Sequence, residues 1–222
     1  MGKKALIVWG GWNGHEPDKV AAVLEGVLKK LQFEVTVSNT LDSFLDKDKL
    51  SKLDLIVPCW TMGKITGDQC KNVCEAVVNG AGIGGLHGGM GDAFRENTDW
   101  QFMVGGQFVS HPGGQIKYSV KPKGKHWITE GLTEFEHTSE QYYMHTDPSN
   151  KVLATTKLPV AEGPHTANGK FDMPVTWVRN WGKGRVFYCS LGHVAKELDV
   201  EPILKMATRG LLWAAHAETA VS

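Results

Sequence analysis

Gly82-Ile83-Gly84-Gly85-Leu86-His87-Gly88-Gly89-Met90-Gly91-Asp92 is the stretch on which the reading of this chain turns. Residues 82–86 are small and apolar, the pattern of a strand buried on both faces. The run then enters a sharp turn in which glycines flank His87 as Gly-x-His-x-Gly. Such a turn lets a strained residue project from the carboxyl end of a central strand, the geometry of a nucleophile elbow. Open α/β sheets bind ligands at that end. A histidine there cannot be the usual covalent thiolate, but it can act as general base, hydrogen-bond donor or metal ligand. The plainer alternative is a turn carrying a solvent-facing histidine.

Upstream of the elbow, strand and helix signals alternate. Residues 5–9 are a short apolar run, a first strand that ends in a tight loop at Gly10-Gly11. Pro17 can open a helix in which Val20, Val23, Leu24, Val27, Leu28 and Leu31 recur at helical spacing. Residues 33–38 and 53–58 read as a second and third strand. Thr66 is placed to cap a helix that runs to Asn79, with Gly80 as its stop. This order predicts an α/β fold with a mainly parallel central sheet and helices on both faces. After His87 the pattern changes. Residues 113–121, 152–156 and 175–179 read as strands without long helices between them, 181–184 as a turn, 185–190 as a returning strand and 201–216 as a closing helix. The second half is thus expected to be an antiparallel elaboration of one domain spanning 1–222.

Composition sets the outer bounds. A chain of 222 residues can bury a full core without disulfide or metal staples. Lys+Arg and Asp+Glu number 24 each, so charge gives no reason to expect nucleic-acid or membrane partners. No stretch approaches the roughly 18 apolar residues of a membrane span, and the apolar start is too short for a signal peptide. The four cysteines (Cys59, Cys70, Cys74 and Cys189) are expected to be reduced thiols in a cytoplasmic protein.

Other polar groups follow strands and should converge on the elbow's rim: His15 after the first strand, Trp60 and Thr61 after the third, and His193 after the strand ending at Ser190. His111, held extended by Pro112, lies in a loop of residues 105–113. Residues 140–145 are extended, with Glu140, Tyr142 and Met144 on one side and Tyr143 and His145 on the other.

Taken in order, these segments resemble the ThuA family, the trehalose-utilisation proteins with a flavodoxin-like, class I glutamine-amidotransferase-like fold. The matching stretches are Gly10-Gly11 with His15, 78–92, Gly105-Gly106 to His111-Pro112, Glu140 with Tyr142, and 174–193. The wider amidotransferase superfamily uses a Cys-His-Glu triad. Here His87 occupies the elbow, His193 resembles the triad histidine, and Ala195 stands where the glutamate is expected. Glutaminase chemistry is therefore not expected.

The resemblance implies sugar catabolism, with trehalose-type disaccharides met as 3-keto derivatives made by a partner sugar 3-dehydrogenase. A ketone at C3 acidifies the C2 proton, so enolisation, elimination of the C1 substituent and hydration cleave the glycoside. Under that reading His87, His111, His193 and Glu140 are catalytic, and Gly10, Gly11, His15, Trp60, Asp92 and Tyr142 contact substrate. A divalent zinc or manganese ion on His87, His111 and His193 is the one cofactor expectation. Two alternatives stay open: a metal-dependent hydrolase of another sugar derivative, and a sugar-binding module without chemistry. Trp213 near the C-terminus is expected either to close the core or to form a homodimer contact.

Overall fold

The computed structural model describes residues 2–221; the two ends of the expected 1–222 domain, Met1 and Ser222, lie outside the described residues. The first half runs β1 (Lys4–Gly11), α1 (Pro17–Lys30), β2 (Glu34–Ser38), the short α2 (Lys47–Leu50), β3 (Leu55–Thr61), α3 (Gly67–Asn79) and β4 (Gly82–Leu86). One turn of helix, α4 (His87–Gly91), leaves β4, and α5 (Thr98–Val104) follows. The second half is mostly strand: β5 (Gly106–Ser110), β6 (Gln115–Pro122), β7 (Phe135–Glu140), β8 (Tyr143–Thr146), β9 (Lys151–Leu158), β10 (Phe171–Trp181) and β11 (Gly184–Cys189), before α6 (Glu201–Ala214).

Nine strands form one sheet in the order β2-β1-β3-β4-β11-β10-β9-β6-β7. The first five are parallel, in the doubly wound order in which the chain's first strand lies between its second and third. From β11 to β7 every pairing is antiparallel. The expected architecture is thus present, a parallel sheet continued by an antiparallel wing. The period-two pattern of the central strands sorts their side chains between two cores. Ile7, Leu55 and Val57 pack under α1 and α6 with Leu24, Leu28, Met206 and Leu211. Leu6, Val8 and Ile56 pack on the opposite face with Val73 and Val77 of α3 and Met103 of α5.

Four readings of the sequence are corrected. Gly10-Gly11 is the end of β1, not a loop, because the parallel ladder continues through Gly10↔Trp60 and Gly11↔Thr61. For the same reason β3 does not stop at Pro58. The missing N–H of a proline removes one bond, but the neighbouring residues keep the ladder. The loop of residues 105–113 contains β5, which pairs with β8 in a separate two-stranded sheet. Residues 140–145 are not one extended segment. Glu140 ends β7 in the large sheet, Tyr143 opens β8 in the small one, and the intervening Gln141 and Tyr142 are both buried. Trp213 packs within the chain, under the Arg185 guanidinium at 4.8 Å.

The helix read from Thr66 to Gly80 is present with a reciprocal cap. Thr66 Oγ1 accepts from the Gln69 amide at 3.2 Å, and Gln69 Oε1 accepts from the Thr66 amide at 3.0 Å. Thr66→Ala should lower stability by about 1 kcal/mol, read as a shift of the urea midpoint, and Thr66→Ser should restore it. Equal midpoints for Thr66→Ala and wild type would show that the box contributes nothing.

Candidate functional site

The carboxyl ends of β1, β3, β4 and β11 meet at one rim, and His87 stands at its centre. Its φ of 48° is the left-handed conformation that side-chain-bearing residues rarely adopt. The elbow geometry read from the glycine pattern is therefore real. Two neighbours hold it: the buried Tyr188 hydroxyl donates to the His87 carbonyl at 2.9 Å, and the His87 Nδ1 lies 2.8 Å from the Ser190 carbonyl. Position 88 has to be glycine, because a Cβ there would lie 2.5 Å from His15 Nδ1 and 2.9 Å from Thr61 Oγ1. That close approach brings β1 and β3 up against the elbow.

Four imidazoles turn their Nε2 atoms toward one carboxylate, Glu140. His87 Nε2 lies 3.1 Å from Oε2 and His15 Nε2 3.8 Å from the same oxygen. His111 and His193 approach Oε1 at 3.7 and 3.9 Å. The far nitrogens are held from outside, His15 Nδ1 by the Thr61 hydroxyl at 2.9 Å and His87 Nδ1 by Ser190. His15, His87, His193 and Glu140 each offer a ligand atom, and these atoms all lie within 4.8 Å of one another. Tyr142 covers His87 with its ring centroid 4.0 Å away, and Phe108 packs behind Tyr142. Beneath the cluster is a cavity of about 20 Å³ lined by His15, Thr61, His87 and Gly192 among others. It has room for one water or ion and none for a sugar, so any larger substrate sits on the outer side, where His111 is 41 % exposed.

The protons follow from these contacts. A carbonyl can only accept, so His87 carries its hydrogen on Nδ1. Burial pushes its pKa down to about 4, against the opposing pull of the Glu140 contact, so near neutrality the ring is uncharged. Its Nε2 lone pair then faces a carboxylate oxygen at 3.1 Å. Burial alone would raise the Glu140 carboxyl, but the surrounding imidazoles, His15 foremost, outweigh it and hold Glu140 well below the usual carboxylate range. Two acceptors therefore face each other at hydrogen-bond distance, an arrangement that a cation between them relieves. Burial also lowers the pKa of His193, whose Nδ1 has no protein partner among the described residues.

The sequence model of the ThuA family, described as trehalose utilisation, matches residues 4–214. The chain belongs to the ThuA family. Similar folds are found in a ThuA-like protein from Bacteroides uniformis (TM-score 0.75, 20 % identity, covering 96 % of this chain and 91 % of that one) and another from Parabacteroides merdae (0.75, 20 %, 97 % and 90 %). A cytoplasmic protein from Salmonella typhimurium is more distant (0.62, 15 %, 98 % and 99 %). A search among curated proteins finds no match. The flavodoxin-like, amidotransferase-like fold expected from the sequence is the fold of this ThuA chain, and no helix among its described residues is long and apolar enough to cross a membrane.

The ThuA site differs in detail from the reading of its sequence. His15 joins the metal-competent set in place of His111, because the turn after β1 folds back over Gly88 and carries His15 inward. Trp60 points to the opposite face of the sheet, where its ring lies over Gly10. Asp92 is buried and held in a two-point pair with Arg95 at 2.6 and 2.8 Å, away from the cluster. Gly10 and Gly11 shape the strand end without lining the cavity. No glutamate stands at position 195, but Glu197 supports His193 differently. Its Oε2 accepts from the Gly192 and His193 amides at 3.3 and 3.0 Å and lies 3.1 Å from His137 Nε2. Neither Glu197 nor His137 was singled out from the sequence. The only signal was a histidine at an inward-facing position of a late strand. Cys189 is no substitute nucleophile: it is buried, and burial pushes its thiol up to about 11.

In the metal-free ThuA chain, unfolded His87 binds a proton below its ordinary 6.5, while folded His87 stays neutral down to about 4. The unfolded state therefore holds more protons in that window. Stability should rise with pH from about 4 to 6.5, by up to about 1.4 kcal/mol per pH unit from this residue, and then level off. Urea unfolding across the window checks this, with a shallower rise expected in His87→Gln. Identical slopes would mean that His87 keeps a proton shared with Glu140.

Proposed function

We propose that the chain degrades trehalose-type disaccharides by cleaving their 3-keto derivatives at a divalent-metal centre. The carrying observation is the pair of facing acceptors, His87 Nε2 and Glu140 Oε2, 3.1 Å apart with the His87 proton committed to Ser190. Donors sharing a zinc or manganese ion at about 2.0–2.2 Å stand roughly 3 to 3.4 Å apart. One contact already meets that spacing, and the ligand atoms of His15, His87, His193 and Glu140, now all within 4.8 Å of one another, would close by up to about 1.4 Å around an ion. An ion on His15, His87, His193 and Glu140 would polarise a ketone and stabilise the enolate that forms from it.

The residues around that centre divide the remaining work. His111 is half-exposed at the rim, its ring stacked against Phe108, and is the base in reach of a substrate on the outer side. It takes the C2 proton of the 3-keto ring. The electron pair moves into the enolate and then expels the C1 oxygen as the C1=C2 bond forms. His111 returns its proton to the departing oxygen, and water adds across C1=C2 to give the free keto-sugar. Phe108 and Tyr142 exclude solvent from the inner side. The substrate must be supplied by oxidation of a secondary alcohol at C3, the work of a partner dehydrogenase.

The test is proton NMR of the metal-loaded protein with 3-keto-trehalose in heavy water, with bound metal assayed in parallel. Loss of the C2 proton signal together with glucose release supports the reading. His87→Ala should lose the metal and the activity. His111→Ala should keep the metal and lose roughly 10²- to 10⁴-fold in kcat. Neither exchange nor cleavage by the metal-loaded protein would overturn the proposal. Cleavage without exchange, retained in His111→Ala, would favour hydrolysis by a metal-bound hydroxide instead.

A further inference from the structure

The indole of Trp12 is 47 % exposed, and among the described residues it shares that degree of exposure with one other aromatic, Phe102. Phe102 lies against Trp181, remote from the histidines. Trp12 stands at the rim itself. Its ring centroid is 4.7 Å from that of His15, edge to face, and His15 is in turn 4.7 Å from His87 and 4.9 Å from His193. The indole thus lies one ring-width outside the imidazole cluster.

An isolated exposed tryptophan needs no explanation, but this one is held in place. Its amide donates to the Thr61 carbonyl at 3.1 Å, tying it to the end of β3. Its ring lies over Gly14, where a Cβ would come within 2.3 Å of Cζ2. The chain therefore keeps position 14 bare beneath a large apolar ring that remains half in solvent. Trp60, which the sequence offered for sugar stacking, packs its ring over Gly10 and Gly63, on the face of β3 away from the histidines.

We propose that Trp12 is the stacking platform for the second pyranose ring of a disaccharide, the ring that leaves. This deepens the reading above and rests on it. The reacting ring occupies the outer side of the cluster beside His111 and Glu140, and the glycosidic bond carries the leaving ring outward by about one ring-width. A pyranose presents an apolar C–H face to an aromatic plane, while its hydroxyls point to water or to polar neighbours. Of these, Glu16 follows in the same turn, its carboxylate one-third exposed and accepting from the Ala195 amide. Of the two sugar rings Trp12 meets the leaving one, and it meets the histidines only through the edge of His15, so it acts on disaccharide recognition.

The test compares two substrates, 3-keto-trehalose and methyl 3-keto-α-glucoside, which lacks the second ring. Trp12→Ala should raise KM for 3-keto-trehalose roughly three- to tenfold, leave kcat within about twofold, and leave KM for the methyl glycoside unchanged. Trp12→Phe should recover most of the loss. An equal change for both substrates, or none for either, overturns the assignment. If wild type turns over neither substrate, the proposed function fails, and binding of plain trehalose against glucose, measured by calorimetry, decides the Trp12 assignment separately. Trehalose binding that weakens in Trp12→Ala while glucose binding does not sustains the platform; equal binding, or none, removes it.

Discussion

The Ser190 carbonyl decides which nitrogen of His87 carries its proton, and the chemistry of the site follows from that choice. Ser190 is in place because β11 lies beside β4, with Cys189 paired to Leu86 one residue earlier on each strand. With Nδ1 committed, the Nε2 lone pair has to point at Glu140, and burial denies the ring a second proton. A hydrogen bond between two backbone-anchored groups thus sets which His87 nitrogen faces the other ligand-competent side chains. The positive φ of His87 and the Tyr188 bond to its carbonyl serve the same end. They hold the backbone from which the ring projects between Ser190 and Glu140.

Concentrating this polarity in the interior is costly, since a buried carboxylate is tolerated only where its oxygens are met. Around Glu140 the imidazoles of His15, His111 and His193 turn Nε2 toward its oxygens at 3.8, 3.7 and 3.9 Å, and Glu197 is met by two amides and His137. The two acidic groups sit on either side of His193. Glu140 faces its ring and Glu197 holds its backbone, so the position of the histidine is determined from both directions. The glutamate expected two residues beyond His193 is absent, since position 195 is alanine. Residues 140 and 197 contact that histidine instead.

How much of this was legible beforehand depends on the range of the interaction involved. The elbow, the cap at Thr66 and the turn at 181–184 are encoded within a dozen residues each, and the structure has all three. The readings that failed required knowledge of a partner. Gly10-Gly11 looked like a loop until Trp60 and Thr61 were found paired to them. Residues 106–110 looked like a loop because β5 is a strand only through β8. Trp60 looked available until the face of β3 was known.

The sequence by itself determined the fold class, the strained histidine at the end of β4 and the absence of a cysteine there, because glycine pattern, apolar periodicity and residue identity are local properties. Only the tertiary structure decided that His15, His87, Glu140 and His193 form one site. In the sheet order β7 lies five strands from β4, about 24 Å away if the sheet were flat, yet Glu140 reaches His87 at 3.1 Å. The antiparallel wing must curl around the α6 side to bring them together, as the shared core of Tyr118, Val120, Leu153, Ala207 and Leu211 requires. That curl is a sum of twists and packing contacts spread over many strands, and no short stretch of sequence records it.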